Sequence, residues 1–185
     1  MTKNDKTLEV RLKGVVGCGR AWKGGDMTKN DKTLEDVLKL TKKQHVAMLI
    51  TLKDGQPVSR PMGVMQPEGD GTFWFFCLAD SDVAAQVEAD ARVNVAFADK
   101  DYLSVTGGAT VVQDAARARE LWNPAVDAWM GDCEPEDARV RLIKVTADTI
   151  AYWDTPGTVG SVLGMVGGLV RDKRPDVGES GVVDA

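Results

Sequence analysis

Residues Val93 to Trp122 read VNVAFADKDYLSVTGGATVVQDAARARELW. Val93, Val95 and Phe97 fall on one face of an extended segment, and Asp99, Lys100 and Asp101 then supply a polar turn. From Leu103 to Val111 the chain alternates, with Leu103, Val105, Ala109 and Val111 on one side and Ser104, Thr106 and Thr110 on the other. A period of two over that length marks a half-buried strand, because successive side chains leave opposite faces of a pleated backbone. Gly107 and Gly108 interrupt it where a bulge or a close approach of another backbone is expected. Asp114 stands where a helix N-cap belongs, and Ala115, Ala118 and Trp122 follow at helical spacing. Strand, tight turn, long bent strand and helix make a piece of an antiparallel barrel with a helix laid against it.

The same reading extends upstream. Thr33 to Lys43 carries capping-box spacing at Thr33 and Asp36 and an apolar stripe of Leu34, Val37 and Leu38, which predicts a helix. His45 to Leu52 is apolar on both faces, as suits a barrel wall covered by a helix or a partner subunit. Asp54-Gly55 is a hairpin turn. Pro57 to Met65 forms the second strand, in which Pro61 predicts a local break in ladder pairing. Thr72 to Leu78 is a third, almost wholly apolar strand. Ser81 to Ala89 is a short helix capped by Ser81, with Val83 and Val87 facing inward.

Downstream, Asn123 to Asp137 is a mixed segment expected to fold over one end of the barrel. Ala138 to Thr146 is a sixth strand whose apolar phase shifts between Leu142 and Ile143, as a bulge would cause. Thr149 to Asp154 closes the sheet. Strands in succession with short turns favour an antiparallel barrel. Thr158 to Val170 is apolar and glycine-rich, with Gly160, Gly164 and Gly168 at small-xxx-small spacing. It is too short to span a bilayer and reads as a packing or loosely ordered segment. From about Arg171 a polar, mobile end is expected.

Composition bounds the function. The 185 residues suit one domain or a domain with an appendage, and 43% hydrophobic content suits a buried core. A net charge of −5 argues against a nucleic-acid surface. Cys18, Cys77 and Cys133 form no C-x-x-C pair, which argues against a disulfide framework or a structural zinc site and for a reducing cytoplasm. His45 is the one histidine, and a structural role outweighs catalysis for it. No apolar run is long enough for a membrane helix, and the Lys- and Asp-rich start is not a secretory signal.

MTKNDKTLE occurs at Met1 to Glu9 and again at Met27 to Glu35. The copies are not followed by similar sequence, so they are no solenoid repeat. Residues 1–26 carry six Lys or Arg against three Asp or Glu. The expectation is an extension over 1–26, disordered and arising by duplication or cloning, before a functional domain over 27–185. Gly17-Cys18-Gly19 lacks the third glycine of a dinucleotide fingerprint, since Trp22 occupies that place.

Three segments together carry a resemblance: SVTGGATVVQD at Ser104 to Asp114, ELWNP at Glu120 to Pro124 and AYWDTP at Ala151 to Pro156. They resemble the general stress protein 26 branch of the pyridoxamine 5′-phosphate oxidase superfamily over about Thr33 to Asp154. The resemblance implies a mainly β, FMN-binding split barrel, a homodimer with flavin at its interface, and a small oxidoreductase. It places the Arg60-Pro61-Met62 strand along the flavin. It also places the backbone of Phe76 and Cys77 beside the ring, and Ser81 with the α-helix start as a phosphate cradle. The chemistry suits those types: a flavin phosphate wants Arg, hydroxyls or a helix N-terminus, and the ring wants an apolar slot.

One departure stands out. The family commonly has Ser-x-Lys, where this chain reads Ser81-Asp82-Val83. Losing one charge-assisted contact, worth ~1.5–3 kcal/mol, weakens FMN roughly tenfold to a hundredfold. Alternative readings are therefore a non-catalytic flavin-binding or sensing stress protein, or a split barrel using F420 or haem, the latter with His45 as ligand. Pyridoxamine phosphate oxidation itself is not expected, because that enzyme's substrate-phosphate residues have no recognisable counterpart here. No general acid or base stands out, so the catalytic residue is left open. Trp122, Trp129 and Trp153 read as core or interface residues. Tyr102 reads as a strand-end aromatic, and Cys133 among acids as an unreactive thiol. Asp132, Glu134, Glu136 and Asp137 read as a solvated loop without Ca²⁺-binding spacing, and no metal site is expected.

Overall fold

The computed structural model describes residues 32–42, 44–65, 67–99, 101–154 and 179–185. The first helix, α1 (Leu34–Lys39), starts as its sequence requires. The Thr33 hydroxyl accepts from the Asp36 backbone N–H, and the Asp36 carboxylate accepts from the Thr33 N–H in return. The hairpin of β1 (Val46–Lys53) and β2 (Gln56–Gly63) turns on Asp54 and Gly55, with φ of 53° and 75°. Two successive positive φ values are the turn geometry whose twist matches the flanking strands.

β3 (Thr72–Leu78) leads straight into α2 (Asp82–Ala89), whose first-turn Ala84 N–H donates to the Ser81 hydroxyl. β4 (Arg92–Ala98) and β5 (Tyr102–Val112) follow, then α3 (Ala115–Leu121) capped by Asp114 and α4 (Pro124–Met130) capped by Asn123. The long β6 (Val140–Asp154) and β7 (Glu179–Asp184) complete the described chain.

Every pairing is antiparallel, along the path β2–β1–β4–β5–β6–β3. β6 offers one edge to two partners: β3 along Val140–Thr146 and β7 along Thr149–Asp154. The two ends of the path, β2 and β3, meet through an isolated bridge between Val64 and Phe75. The sheet therefore closes into a barrel that remains open along that seam, which is a split barrel.

Two apolar clusters follow from the alternation of strand side chains. Inside the barrel, Leu49, Phe73, Phe75, Val95, Phe97, Val105, Ile143, Ile150 and Tyr152 pack together. Val37 and Leu38 of α1 and Val83 and Val87 of α2 seal the same cluster. Outside, α3 and the segment after it cover the other face of β3 and β6, burying Trp74, Ala118, Cys133, Val140 and Leu142. β3 is apolar on both faces because, like the first part of β6, it is shared by both clusters.

Several expectations need correction. Pro61 breaks no pairing: the β1–β2 register runs unshifted from Val46 opposite Gly63 to Lys53 opposite Gln56. β2 is an edge strand over this stretch, where a missing N–H costs no ladder bond. Leu142 and Ile143 mark no bulge either. The β3–β6 register passes through them unshifted; Ile143 faces the interior and Leu142 the outer cluster. The irregularity lies at Asp148, since Thr106 opposes Thr149 while Gly107 opposes Ala147. That extra residue moves the inward phase of β6 from Ile143, Val145 and Ala147 to Ile150 and Tyr152.

β1 is not buried on both faces within one chain: Ala47, Leu49 and Thr51 are buried, whereas Val46 is 59% exposed and Met48 37%. Asn123 to Asp137 contains the regular helix α4, and with α3 it lies against the outer face. The expected mobile end is overturned for residues 179–184, which form β7 with Val183 buried. The expected extension over 1–26, the boundary at Met27 and the Thr158 to Val170 segment lie outside the described residues.

Candidate functional site

The inward face of β2 carries Val58, Arg60 and Met62, half-buried between exposed neighbours. Arg60 lies opposite Leu49 of β1, at the open edge of the barrel, beside α2. Its Nη1 donates to Thr51 Oγ1 at 2.8 Å and its Nη2 to Gln86 Oε1 at 2.7 Å. Thr51 Oγ1 donates in turn to the same Gln86 oxygen at 2.6 Å. Thr51 is wholly buried and Gln86 is 8% exposed. A fully linked polar cluster thus joins β1, β2 and α2.

No carboxylate of the described residues forms an ion pair with Arg60, although eight other pairs do form. Both acceptors are neutral. Partial burial lowers the Arg60 pKa, and the charge of nearby Asp82 opposes that shift. An arginine starts so high that it stays protonated at neutral pH. The barrel rim therefore carries a cation whose charge no contacting carboxylate neutralises. That arrangement fits a phosphate.

The other expected site residues divide between faces. Met62 packs against the interior cluster, whereas Pro61 is exposed on the opposite side of β2. Cys77 is buried in the interior. Phe76 points the other way, edge-on to Trp122 with ring centroids 5.4 Å apart under α3. Alternation along β3 forces that separation. Ser81 caps α2 and donates to the Leu78 carbonyl at 2.6 Å. Val83 sits in the core, so the first turn of α2 presents no cation, and Asp82 is exposed. Ser81 lies within hydrogen-bonding reach of the Cys77 thiol, and Arg60 reaches α2 one turn further on, through Gln86. The fold does not bring the Phe76 or Pro61 side chains to the same face.

Thr51 and Gln86 escaped the sequence reading. One signal for Gln86 existed: it is a polar residue within the buried stripe Val83, Ala84 and Val87. Thr51 gave none, being an ordinary strand residue.

Several of the remaining candidates have structural engagements, whereas Trp129 is 88% exposed and belongs to no core. Trp122 donates to Asp127 Oδ1 at 3.2 Å, and Tyr102 is on the outer sheet face. Cys133 is buried in the outer cluster. Glu136 pairs with Arg119, and Asp137 and Asp132 pair with Arg139.

Burial pushes the Cys77 thiol up to about 11, against a smaller opposing pull from a hydrogen bond with Ser81. A thiol held neutral in the fold favours the folded state fully below its ordinary value of 9.0. That contribution is lost as pH rises through 9 toward 11, because the unfolded chain releases the proton first. Cys77→Ala is expected to flatten the fall in stability over this window relative to the unmodified protein, measured by denaturant melts at stepped pH. Parallel slopes would contradict it.

No helix among the described residues is long and apolar enough to cross a membrane. Comparison with known proteins agrees with the barrel. Residues 32–176 match the family model "Pyridoxamine 5'-phosphate oxidase like". Protein bli-3 of Neurospora crassa is 31% identical over 137 residues, which cover 68% of this chain and 66% of that protein, just under two thirds of its length. The general stress FMN/FAD binding protein of Xanthomonas citri superposes with a TM-score of 0.58 at 30% identity, covering 68% of this chain and 90% of its own. A candidate general stress protein 26 from Jannaschia sp. CCS1 reaches a TM-score of 0.69 at 24% identity, covering 81% and 96%, and bears on the fold alone. A split barrel seamed at Val64 and Phe75, matched by the family model over nearly its whole described length, makes this chain a member of the pyridoxamine 5′-phosphate oxidase-like family.

Proposed function

We propose that the chain is a flavin-binding protein that takes FMN at the open edge of the barrel and acts as a small oxidoreductase. The observation that carries this reading is Arg60, a half-buried guanidinium held by two neutral oxygens without a carboxylate in contact. Arg60 would hold the phosphate. The first backbone N–H groups of α2, which have no partner within the helix, would assist it, with Ser81 fixing the helix end. Met62 and the main chain of Pro61 on β2, with the backbone of Phe76 and Cys77, would line the ring. Phe76 contributes main chain only, because its ring lies under Trp122. Bound flavin supplies the electron-transfer chemistry. Thr51 and Gln86 beside Arg60 do not titrate, so this part of the chain binds and orients and moves no proton.

The flavin site would lie at a homodimer interface. The outer sheet face supports this, because one cross-strand row runs Met48, Ala96, Ser104, Ala151, Val182 and a second runs Ala98, Tyr102, Trp153, Ser180. Residues directly opposite share a face, so both rows are mostly apolar, and among the described residues Met48 and Tyr102 on them are exposed while most of the others are half-buried.

A second reading is a flavin binder without turnover. Val83 in the core and the exposed acid Asp82 leave the first turn of α2 without a cation to join Arg60, which favours weak binding. The test is colour and reduction. Yellow protein whose flavin is identified by mass spectrometry and bleaches with NAD(P)H supports the oxidoreductase. Bound flavin that no nicotinamide reduces supports the binder. Colourless protein that refuses added FMN overturns both.

A further inference from the structure

Gln86 and Thr51 are more than a tie between α2 and the sheet. We propose that they are positioning residues: a neutral carboxamide and a neutral hydroxyl fix the Arg60 guanidinium at the barrel rim while leaving its positive charge free for the flavin phosphate. The inference rests on the flavin reading above and adds the residues that set its phosphate selectivity.

The geometry separates orientation from neutralisation. A guanidinium has five N–H donors in a planar fork. One N–H of Nη1 and one of Nη2 are taken by Thr51 and Gln86. The Thr51 hydroxyl closes the ring by donating to Gln86 Oε1, so neither acceptor can turn without breaking a second bond. Both supports come from buried positions on different elements, β1 and α2. The other donors of the fork remain available to an oxyanion, for which planar, two-point recognition is the strength of arginine over lysine. A carboxylate at position 86 would hold the fork as well or better, but would pair with the charge that the phosphate needs. A merely structural tie would benefit from that salt bridge; a phosphate-binding arginine would not.

The contrast is tested with Gln86→Glu in the full chain, reading the affinity of FMN and of riboflavin, which lacks the phosphate, by flavin fluorescence quenching. The expected result is FMN binding weakened about tenfold to a hundredfold, as loss of one charge-assisted contact implies, with riboflavin binding unchanged and the melting temperature unchanged or raised. Equal loss of both flavins with a lowered melting temperature would show a structural role and overturn the proposal. Unchanged FMN affinity would overturn it as well. Should Gln86→Glu fail to fold, Thr51→Val keeps the side-chain shape and removes the hydroxyl. It is expected to weaken FMN, and not riboflavin, by a few-fold, and loss of both or neither counts against the proposal. Unmodified protein that binds riboflavin as tightly as FMN would overturn the phosphate role of Arg60 and leave the flavin reading standing. Unmodified protein that binds neither flavin would overturn both.

Discussion

Gly107→Ala is expected to destabilise the barrel by about 3 kcal/mol or more, at or beyond the upper end of ordinary overpacking, while Gly108→Ala one residue on is close to neutral. A Cβ at Gly107 would overlap the carbonyl oxygen of Thr146 and lie 3.0 Å from the Ala147 Cα. Those are backbone atoms of the neighbouring strand, fixed by pairing to both β3 and β5, so no side-chain rotation relieves the clash. Gly108 has nothing within 4 Å of the same notional atom. At an open strand position, replacing glycine stabilises slightly by restricting the unfolded chain. The close approach arises where Asp148 is inserted opposite the Thr106–Gly107 step and bends β6 toward β5. Urea unfolding followed by tryptophan fluorescence would read both variants. Gly107→Ala and Gly108→Ala with equal midpoints would mean that the strands are not this close.

That glycine pair shows what kind of information was legible in the residues. Local chemistry was: Thr33 with Asp36, Ser81, Asp114 and Asp54-Gly55 each specify a cap or turn through bonds within a few residues, and each has its expected geometry. Strand phase was legible where one face is buried and the other wet, as at Leu103, Val105 and Ala109. It misled where an element is covered twice. Leu142 and Ile143 imitate a bulge because α3 lies on one side and the barrel interior on the other. The real bulge, at Asp148, hid in the gap between two apparent strands. Pro61 raised the opposite difficulty, since its meaning depends on β2 being an edge, which is a property of the whole sheet. β7 was invisible for a related reason: Glu179–Asp184 is short and polar-flanked, and its strand character comes from pairing with β6.

The site was less legible than the fold. Sequence proximity grouped Phe76 with Cys77 and Pro61 with Arg60, and strand alternation then sends each pair to opposite faces. Arg60 stood out as a cation amid apolar neighbours. Its partners did not, because Thr51 and Gln86 lie nine and 26 residues away and meet it only when β1 and α2 pack.

β1 carries the remaining consequence. Its sequence is apolar on both faces, yet one chain buries only Ala47, Leu49 and Thr51. Val46, Met48 and, on the same face, Tyr102 at 49% exposure are left open. If the proposed homodimer forms through this face, Met48→Asp is expected to convert it into a monomer. Within one chain the change is mild: the strand-propensity scale spans ~1 kcal/mol, and Met48 is already 37% exposed. At a symmetric interface each copy would instead bury an unpaired carboxylate, costing several kcal/mol per ion. With 1.4 kcal/mol per decade, even ~4 kcal/mol for the pair weakens self-association about a thousandfold. Sedimentation at micromolar concentration would show a single species of half the mass, with an almost unchanged melting temperature extrapolated to low concentration. Met48→Leu, which keeps the apolar surface, is expected to remain dimeric. If the second subunit completes the flavin site, co-purified flavin disappears together with the dimer. A Met48→Asp protein that still sediments as a dimer would place the interface elsewhere, and a monomer that retains its flavin would place the cofactor wholly within one barrel.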